Sequence, residues 1–461
     1  MDWGRIDRLA ERSYRVRWWL LTRGFALVVA GLMMLHHDWK HVFDDLNVYS
    51  RWGEGLAGGV VPSADPMWQY PPLAAFVFGG IGLLGSAPWM FALLFVAVDV
   101  AVTLVLAADA GRRGRWHGYA AWLAAPLLLG PILYGRYDSL PTLFALAGLL
   151  AVAAPVAAGA ILAVGGGIKV WPAIMALAMS RRDWFKGAVG AAITCAVIVV
   201  TAAWAFPSVI SGFAENGEAR GLQTESVAAL PFVWARALGA AVPPAFRYGS
   251  SEVNTPLADE IAPWLLPLTA IGLLVLIAAR ALGRLDHVPV ADIAFVTILW
   301  LMVTSRVLSP QYNVWLVGMA ALVWAAGSRR MQLATLPVAV TAVTAQLLYP
   351  FAYADVIDGG LVGVALHTVR IGALLASLGL SIWALLPTPA EHEEQVDDAG
   401  GRTLTQEGPA SSATGTGAAR VGARHAIRVP AGTSSFAIRP QAGARHATGP
   451  QAHARPHVNH T

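Results

Sequence analysis

Charged side chains are scarce in this chain. Of its 461 residues only 13% are Asp, Glu, Lys or Arg, while 56% are hydrophobic. Soluble domains of ordinary composition are about a quarter charged, so this composition excludes an ordinary soluble protein. About ten apolar stretches are long enough to cross a hydrocarbon core of roughly 30 Å. The sequence predicts an all-α integral membrane protein, a polytopic bundle of about 10–12 transmembrane helices.

Cysteine is nearly missing, and the common catalytic motifs are missing altogether. Cys195 is the only cysteine, which excludes an intramolecular disulfide, and it lies inside an apolar run. The sequence has no P-loop, HExxH, GxSxG or CxxC pattern, so an ATPase, a zinc protease or a serine hydrolase is not indicated. The formal net charge of +4 does not indicate nucleic-acid binding, because most basic residues stand at the ends of apolar runs and set orientation.

The N-terminus lacks the pattern of a cleavable signal peptide. Basic residues precede the first apolar run and mark the cytoplasmic side: Arg5, Arg8, Arg12, Arg15 and Arg17. We therefore expect residues 1–17 in the cytoplasm, a membrane domain over residues 18–386, and long outer loops at about 37–87 and 207–260. The remainder, 387–461, is rich in Ala, Gly, Thr, Arg and His, and is predicted to be a disordered cytoplasmic tail. Its histidines suggest weak metal binding at most, and a solvated basic tail is preferred.

The first outer loop carries an unusual density of carboxylates and aromatic rings. Its polar interval runs from residue 38 to 73 and contains Asp38, Asp44, Asp45, Glu54, Asp65, Tyr49, Trp52, Trp68 and Tyr70. A simple connector between membrane helices does not need these groups. We interpret the interval as the part of the chain that holds a catalytic base.

Two apolar runs do not fit a plain alternation of crossings. The run 72–84 would place the basic loop after residue 111 outside, so we predict that it lies at the outer interface. The run 157–179 is interrupted by Gly165-Gly-Gly-Ile-Lys-Val-Trp-Pro172. Broken helices are tolerated where they line a cavity. We predict two half-helices that meet at a buried Lys169.

With this topology the unusual polar groups gather at the outer boundary of the membrane. They are Asp44, Asp45, Arg136, Asp138, Arg220, Glu225, Arg306 and Gln311, with Lys169 below them. A charge at the bilayer centre costs about 2.5–3.5 kcal/mol on insertion scales, so such a residue usually has a function or a partner. Cations would stabilise a lipid phosphate as it leaves, and a carboxylate would take the proton of an attacking hydroxyl.

Each of these residues also has a purely structural interpretation. Asp44 and Asp45 would be solvated loop acids, Arg136 and Asp138 a helix-cap pair, and Arg306 an interfacial anchor. Lys169 would pair with an acid such as Asp99. Trp68 and Tyr70 would be interfacial aromatics.

Six short motifs occur in an order that resembles glycosyltransferase family 87. They are Asp45-Leu-Asn-Val-Tyr49, Trp68-Gln-Tyr-Pro-Pro72, Arg136-Tyr-Asp138, Lys169-Val-Trp-Pro172, Arg220-Gly-Leu-Gln-Thr-Glu-Ser226 and Ser305-Arg-Val-Leu-Ser-Pro-Gln-Tyr312. The resemblance covers about residues 18–386. Many members of the family have Gln at the position of Arg136 and Lys at that of Arg306.

The resemblance implies a GT-C fold in the plasma membrane of an actinobacterium, with both termini cytoplasmic. It implies inverting transfer of mannose or arabinofuranose from a polyprenyl-phosphate sugar to an envelope glycolipid or glycan on the extracytoplasmic face. Asp45 would be the base, or its neighbour Asp44. From their positions, rather than from the family, we infer that Lys169, Arg136 and Arg306 would bind the donor phosphate; no metal, nucleotide or other cofactor is expected. The residues predicted to contact the substrates are Tyr49, Trp68, Tyr70, Asp138, Arg220, Gln223, Glu225 and Gln311.

Two other classes of protein remain possible at this point. A secondary transporter or lipid-carrier flippase would explain the broken helix, although such proteins usually have repeated halves, and neither the acidic loop nor the Gly-rich break occurs twice. A noncatalytic membrane scaffold would leave the outer carboxylates unexplained.

Overall fold

A computed structural model describes residues 12–37, 39–218 and 220–386. Most of the predicted cytoplasmic N-terminus and the whole predicted tail, 387–461, lie outside the described residues. The first half of the described chain is helical and has eleven α-helices: α1 (Arg12–Leu35), α2 (Asp44–Ala57), α3 (Pro72–Leu84), α4 (Pro88–Arg113), α5 (His117–Leu123), α6 (Ala125–Leu129), α7 (Ile132–Gly135), α8 (Ser139–Leu150), α9 (Pro155–Ile168), α10 (Trp171–Ile174) and α11 (Trp184–Ala205).

The second half adds a hairpin between helices: α12 (Val209–Glu218), α13 (Leu230–Ala237), β1 (Pro244–Arg247), β2 (Ser250–Val253), α14 (Pro256–Ile261), α15 (Leu265–Ala281), α16 (Val290–Val303), α17 (Asn313–Ala326), α18 (Arg329–Ala334), α19 (Leu336–Gln346), α20 (Tyr353–Asp358) and α21 (Leu361–Leu385). The strands β1 and β2 pair antiparallel and are the only sheet in the described part of the chain.

Six helical segments are long and apolar enough to cross a membrane: Arg15–Leu35, Pro88–Arg113, Trp184–Ala205, Pro256–Ala281, Arg329–Asp358 and Leu361–Leu385. Shorter apolar helices, including α3, α8, α9 and α16, complete the bundle. The prediction of an all-α polytopic membrane protein is confirmed. Large apolar side chains such as Trp204 are exposed on α11, as expected of a surface that faces lipid.

Proline and glycine set several helix boundaries. Proline occupies the first position of α3, α4 and α9, where its missing N–H is not needed. Gly114 ends α4 in the left-handed conformation, which glycine adopts without a side-chain clash. These residues cut the apolar sequence into helices of different length.

The broken helix predicted near Lys169 is present. Helix α9 ends at Ile168, and Lys169 is extended, with φ −152° and ψ 132°. The second piece is shorter than a half-helix, since α10 is followed only by a 3-10 turn, Met175–Ala178. The chain between α4 and α8 is also interrupted, because it consists of the three short helices α5, α6 and α7.

The acidic outer loop is mostly helical. Asp44, Asp45 and Glu54 stand on α2, which packs along α3, the helix predicted to lie at the interface. The two backbones approach so closely that a Cβ on Gly82 would collide with the carbonyl group of Gly53. Small residues permit such close helix packing. This contact fixes the position of α2, and with it that of Asp44 and Asp45, above the bundle.

Candidate active site

One polar cavity of about 380 Å³ collects most of the predicted site residues. Its walls come from α2, the ends of α7 and α9, the segment after α12, the β-hairpin and the loop before α17. The predicted residues that line it are Asp44, Asp45, Tyr70, Arg136, Lys169, Arg220, Gln223, Glu225 and Gln311. Residues far apart in sequence therefore meet at one place.

Asp45 stands in the first turn of α2, where the helix dipole favours a negative charge. Its Oδ2 lies 2.6 Å from Nη1 of Arg136 and accepts a 3.3 Å hydrogen bond from the Tyr49 hydroxyl. Its neighbour Asp44 is more exposed and pairs with His41 at 2.8 Å. Both carboxylates line the cavity, but only Asp45 is tied to a cation of its wall. This geometry favours Asp45 over Asp44 as the base.

Two aromatic residues predicted to contact substrate lie beneath the cavity instead. Tyr49 is 1% exposed and stacks on Phe78, with ring centroids 5.0 Å apart. Trp68 is fully buried and packs edge-on against Trp52. Neither is among the residues that line the cavity. Tyr49, on α2, and Trp68 belong to a buried aromatic cluster, while Tyr70 reaches the cavity itself.

Lys169 enters the cavity from the helix break. Its Nζ lies 2.7 Å from Oδ1 of Asp138 and 4.6–4.9 Å from three aromatic rings, those of Tyr137, Tyr312 and Trp315. Such ring faces attract a cation. The ammonium group is thus held at one side by a carboxylate and enclosed by aromatic surface.

Asp138 does not line the cavity, contrary to the expected substrate contact. It is fully buried, and its Oδ1 also accepts a 2.8 Å hydrogen bond from Nε1 of Trp315. Among the described residues, none donates a hydrogen bond to its Oδ2. Asp138 therefore acts on the cavity only through the position of Lys169.

A second polar group forms the wall near the hairpin. Arg220 donates to Oε1 of Gln69 at 2.9 Å and to Oγ of Ser250 at 2.7 Å, and its Nε lies 3.7 Å from Oε1 of Glu252. Burial raises the pKa of the Glu252 carboxyl, and the guanidinium of Arg220 opposes that rise. The wall presents amide, hydroxyl and guanidinium groups, and the Glu252 carboxylate balances the charge of the guanidinium.

Gln223 and Glu225 are held by an internal network. The Gln223 side chain donates to Oε2 of Glu225 at 2.7 Å and accepts from the backbone N–H of Leu308 at 2.8 Å. Arg370 of α21 lies 3.4 Å from Oε1 of Glu225, and it also donates to the carbonyl of Leu308. Burial raises the pKa of the Glu225 carboxyl, and Arg370 opposes that rise.

Arg306 is the one predicted phosphate-binding residue that does not line the cavity. Its backbone carbonyl accepts a 3.0 Å hydrogen bond from the N–H of Gln223. Its segment therefore braces the cavity wall, whereas Gln311, five residues later, reaches the cavity. Three of the four groups expected at the reacting centre, Asp45, Arg136 and Lys169, do share one space.

Several residues of this region were not predicted. They are Gln69, Tyr248, Ser250, Tyr312, Tyr349 and Tyr353 on the cavity wall, with Trp315, Glu252 and Arg370 behind it. Arg370 had a usable signal, since it is a charge inside an apolar run of span length. The hairpin residues had none, because neither strand is longer than four residues.

Within the described residues, no three His, Cys, Asp or Glu side chains are placed to hold a metal ion together. The comparison with protein families gave one finding that bears on this cavity. The family model of glycosyltransferase family 87 matches residues 68–310, which is more than half of the chain. The chain belongs to glycosyltransferase family 87.

This family-87 member is a membrane glycosyltransferase. The matched region includes Arg136, Asp138, Lys169 and Arg220, whereas Asp45 and Gln311 lie outside it. Neither the comparison with curated proteins nor that with solved structures gave a match.

Proposed function

We propose that this enzyme transfers mannose or arabinofuranose from a polyprenyl-phosphate donor to a glycolipid or glycan of the cell envelope. The observation that carries the proposal is the meeting of Asp45, Arg136 and Lys169 in one polar cavity. A carboxylate beside two cations is the combination needed when a hydroxyl attacks a sugar that is leaving a phosphate.

Arg136 and Lys169 are suited to the phosphate of the donor. Arg136 is buried, lines the cavity and is held in place by Asp45, so its planar guanidinium is suited to a phosphate oxygen. Lys169 is oriented by Asp138 and by the rings around it. Cations held in place before the reaction stabilise the developing charge without further reorganisation.

Asp45 is suited to act as the general base. The oxygen of the acceptor hydroxyl attacks the anomeric carbon from the face opposite the phosphate. The new carbon–oxygen bond forms as the bond from that carbon to the phosphate oxygen breaks, and the electron pair leaves with the phosphate. Asp45 takes the hydroxyl proton. Attack from the opposite face inverts the anomeric configuration.

The contact between the start of α1 and the loop after α4 supports an extracytoplasmic position for the cavity. Arg15, at the start of α1, stacks on Trp116 at 3.4 Å, and its carbonyl accepts a hydrogen bond from Tyr119. Arg15, near the start of α1, and the basic loop after α4 thus share one side of the bundle. Basic segments mark the cytoplasmic side, and α2 follows the opposite end of α1.

The direct test uses the purified protein in lipid nanodiscs, radiolabelled polyprenyl-phosphate mannose or arabinose, and a membrane lipid extract as the source of acceptor. We expect label to move from the donor to an acceptor without added nucleotide or metal. No transfer from either donor, combined with solute uptake or lipid movement in proteoliposomes, would favour a transporter or flippase instead.

A further inference from the structure

The β-hairpin at the cavity carries a tyrosine in an unfavourable backbone conformation. Arg247 pairs with Ser250, so the turn consists of two residues, Tyr248 and Gly249. Their φ angles are +51° and +72°. Two-residue turns with positive φ at both positions strongly prefer Asn, Asp or Gly. A tyrosine side chain in the left-handed region costs free energy that an asparagine would largely avoid.

The rest of the hairpin holds this turn in place. Strand β2 is buried along its length, and Ser251 accepts a 2.9 Å hydrogen bond from the N–H of Thr224. The N–H of Val253 donates to the carbonyl of Leu222, also at 2.9 Å. An unfavourable residue persists where the surrounding structure over-determines it, and such residues cluster at ligand sites.

The turn places aromatic surface beside a neutral hydrogen-bonding wall. Tyr248 and Phe246 both line the cavity, although Phe246 is 75% exposed. The guanidinium carbon of Arg220 lies 5.6 Å from the Tyr248 ring, and Glu252 offsets its charge. Pockets that combine aromatic rings with a few placed polar groups fix the orientation of a ligand. A sugar fits this wall, since its C–H face packs on a ring and its hydroxyl groups pair with amide, hydroxyl and guanidinium groups.

We propose that Tyr248, with Phe246 beside it, is the stacking platform of the acceptor-sugar subsite. This inference rests on the proposed function. The donor phosphate belongs with Lys169 and Arg136, so the charge-balanced wall is left for the neutral acceptor. A stacking role accounts for a tyrosine at a position where asparagine or glycine would suit the backbone better.

The test is Tyr248→Asn, which suits the turn and removes the ring. We expect the melting temperature to stay level or rise, while KM for octyl α-D-mannopyranoside as acceptor rises about tenfold or more. The donor KM is expected to change by less than about twofold, because the donor contacts the other wall. Tyr248→Phe should restore the acceptor KM, since it keeps the ring.

The matched control is Ser86→Asn. Ser86 is the other non-glycine residue with positive φ in the described ranges, at +56°, and it does not line the cavity. Its substitution should leave both KM values unchanged. A melting temperature that falls in Tyr248→Asn, with equal loss of activity that phenylalanine does not restore, would make Tyr248 merely structural and overturn the inference.

An unchanged acceptor KM in Tyr248→Asn would overturn the platform and leave the proposed function intact. If the wild type transfers no sugar at all, the proposed function fails instead. Saturation-transfer NMR with octyl α-D-mannopyranoside then decides: a signal that is present in the wild type and lost in Tyr248→Asn supports a sugar subsite. An absent signal, or equal signals from both proteins, contradicts it.

Discussion

Two buried aspartates in this enzyme have nearly the same partners and yet differ in one respect. Asp99 lies 2.8 Å from Arg23 and accepts a hydrogen bond from the Trp122 indole; Asp138 lies 2.7 Å from Lys169 and accepts from the Trp315 indole. Asp99 also accepts from Arg23 Nε and the Tyr134 hydroxyl, so both of its oxygens are used.

The second pair is left incomplete. Oδ2 of Asp138 accepts no hydrogen bond from any described residue, and Lys169 lines the cavity. A fully satisfied buried network makes a core rigid, whereas an incomplete one is costly and calls for an explanation. The comparison teaches that burial of charge alone does not mark the active site. Lys169 differs from Arg23 in that it lines the polar cavity.

The largest effect is expected at the cavity carboxylate. Asp45→Asn should lower the transfer rate at saturating substrate about 10²–10⁴-fold, which is the usual contribution of a general base. Asp44→Asn, which removes the more exposed neighbour, is the matched control and should lose less than about threefold. Equal rates for Asp45→Asn and wild type would remove Asp45 from the mechanism.

Breaking the fully hydrogen-bonded pair of Arg23 and Asp99 should lower stability rather than the transfer rate. Arg23→Met leaves the Asp99 carboxylate buried without its cation, and breaking a buried pair in this way costs about 3–5 kcal/mol. Thermal unfolding in detergent measures the loss. The transfer rate per mole of folded protein should stay near that of the wild type, and a selective loss of rate in the folded fraction would show that the two clusters are not distinct in role.

A cation at the cavity should affect donor binding. Lys169→Gln removes a charged hydrogen-bond donor worth about 1.5–3 kcal/mol, so the donor KM should rise roughly 10–150-fold. Lys186→Gln changes an exposed lysine at the start of α11 and serves as the control. Rates measured over a range of labelled-donor concentrations give the donor KM of both variants. An unchanged KM in Lys169→Gln would show that this lysine does not bind the phosphate.

The Arg220–Glu252 pair should give the smallest effect. Burial raises the folded-state pKa of Glu252, so the folded protein binds a proton that the unfolded chain releases first. The contribution of this group to stability is therefore present below the unfolded pKa and lost as pH rises through the folded one. The melting temperature of the wild type should fall across this range more than that of Glu252→Gln. Parallel curves would contradict the assignment.

Much of the fold and part of the site follow from the sequence. Apolar length and the positions of Arg and Lys predict the membrane helices, because the bilayer imposes both. The break at Lys169 follows from Gly and Pro inside an apolar run. The acid that pairs with Lys169 is Asp138, whereas Asp99, the partner suggested by the structural interpretation, pairs with Arg23.

Other features depend on tertiary contacts that no local pattern encodes. Tyr49 and Trp68 look like loop aromatics in sequence, but α2 folds back onto α3 and buries both. Arg306 stands next to cavity residues in sequence, yet it does not line the cavity, and its backbone carbonyl accepts a hydrogen bond from the N–H of Gln223. The hairpin with Tyr248 is too short to give a strand signal of its own.

The most direct measurement compares Asp138→Asn with Asp99→Asn. Each substitution keeps a polar side chain of the same size next to an indole N–H and removes the charge that holds a cation. The quantity is the initial transfer rate per mole of folded protein. We predict that Asp138→Asn loses at least about tenfold, because Lys169 is no longer held at the cavity, while Asp99→Asn stays within about threefold. Equal losses, or the reverse order, would contradict a catalytic role for the Asp138–Lys169 cluster and a purely structural role for the Asp99–Arg23 cluster.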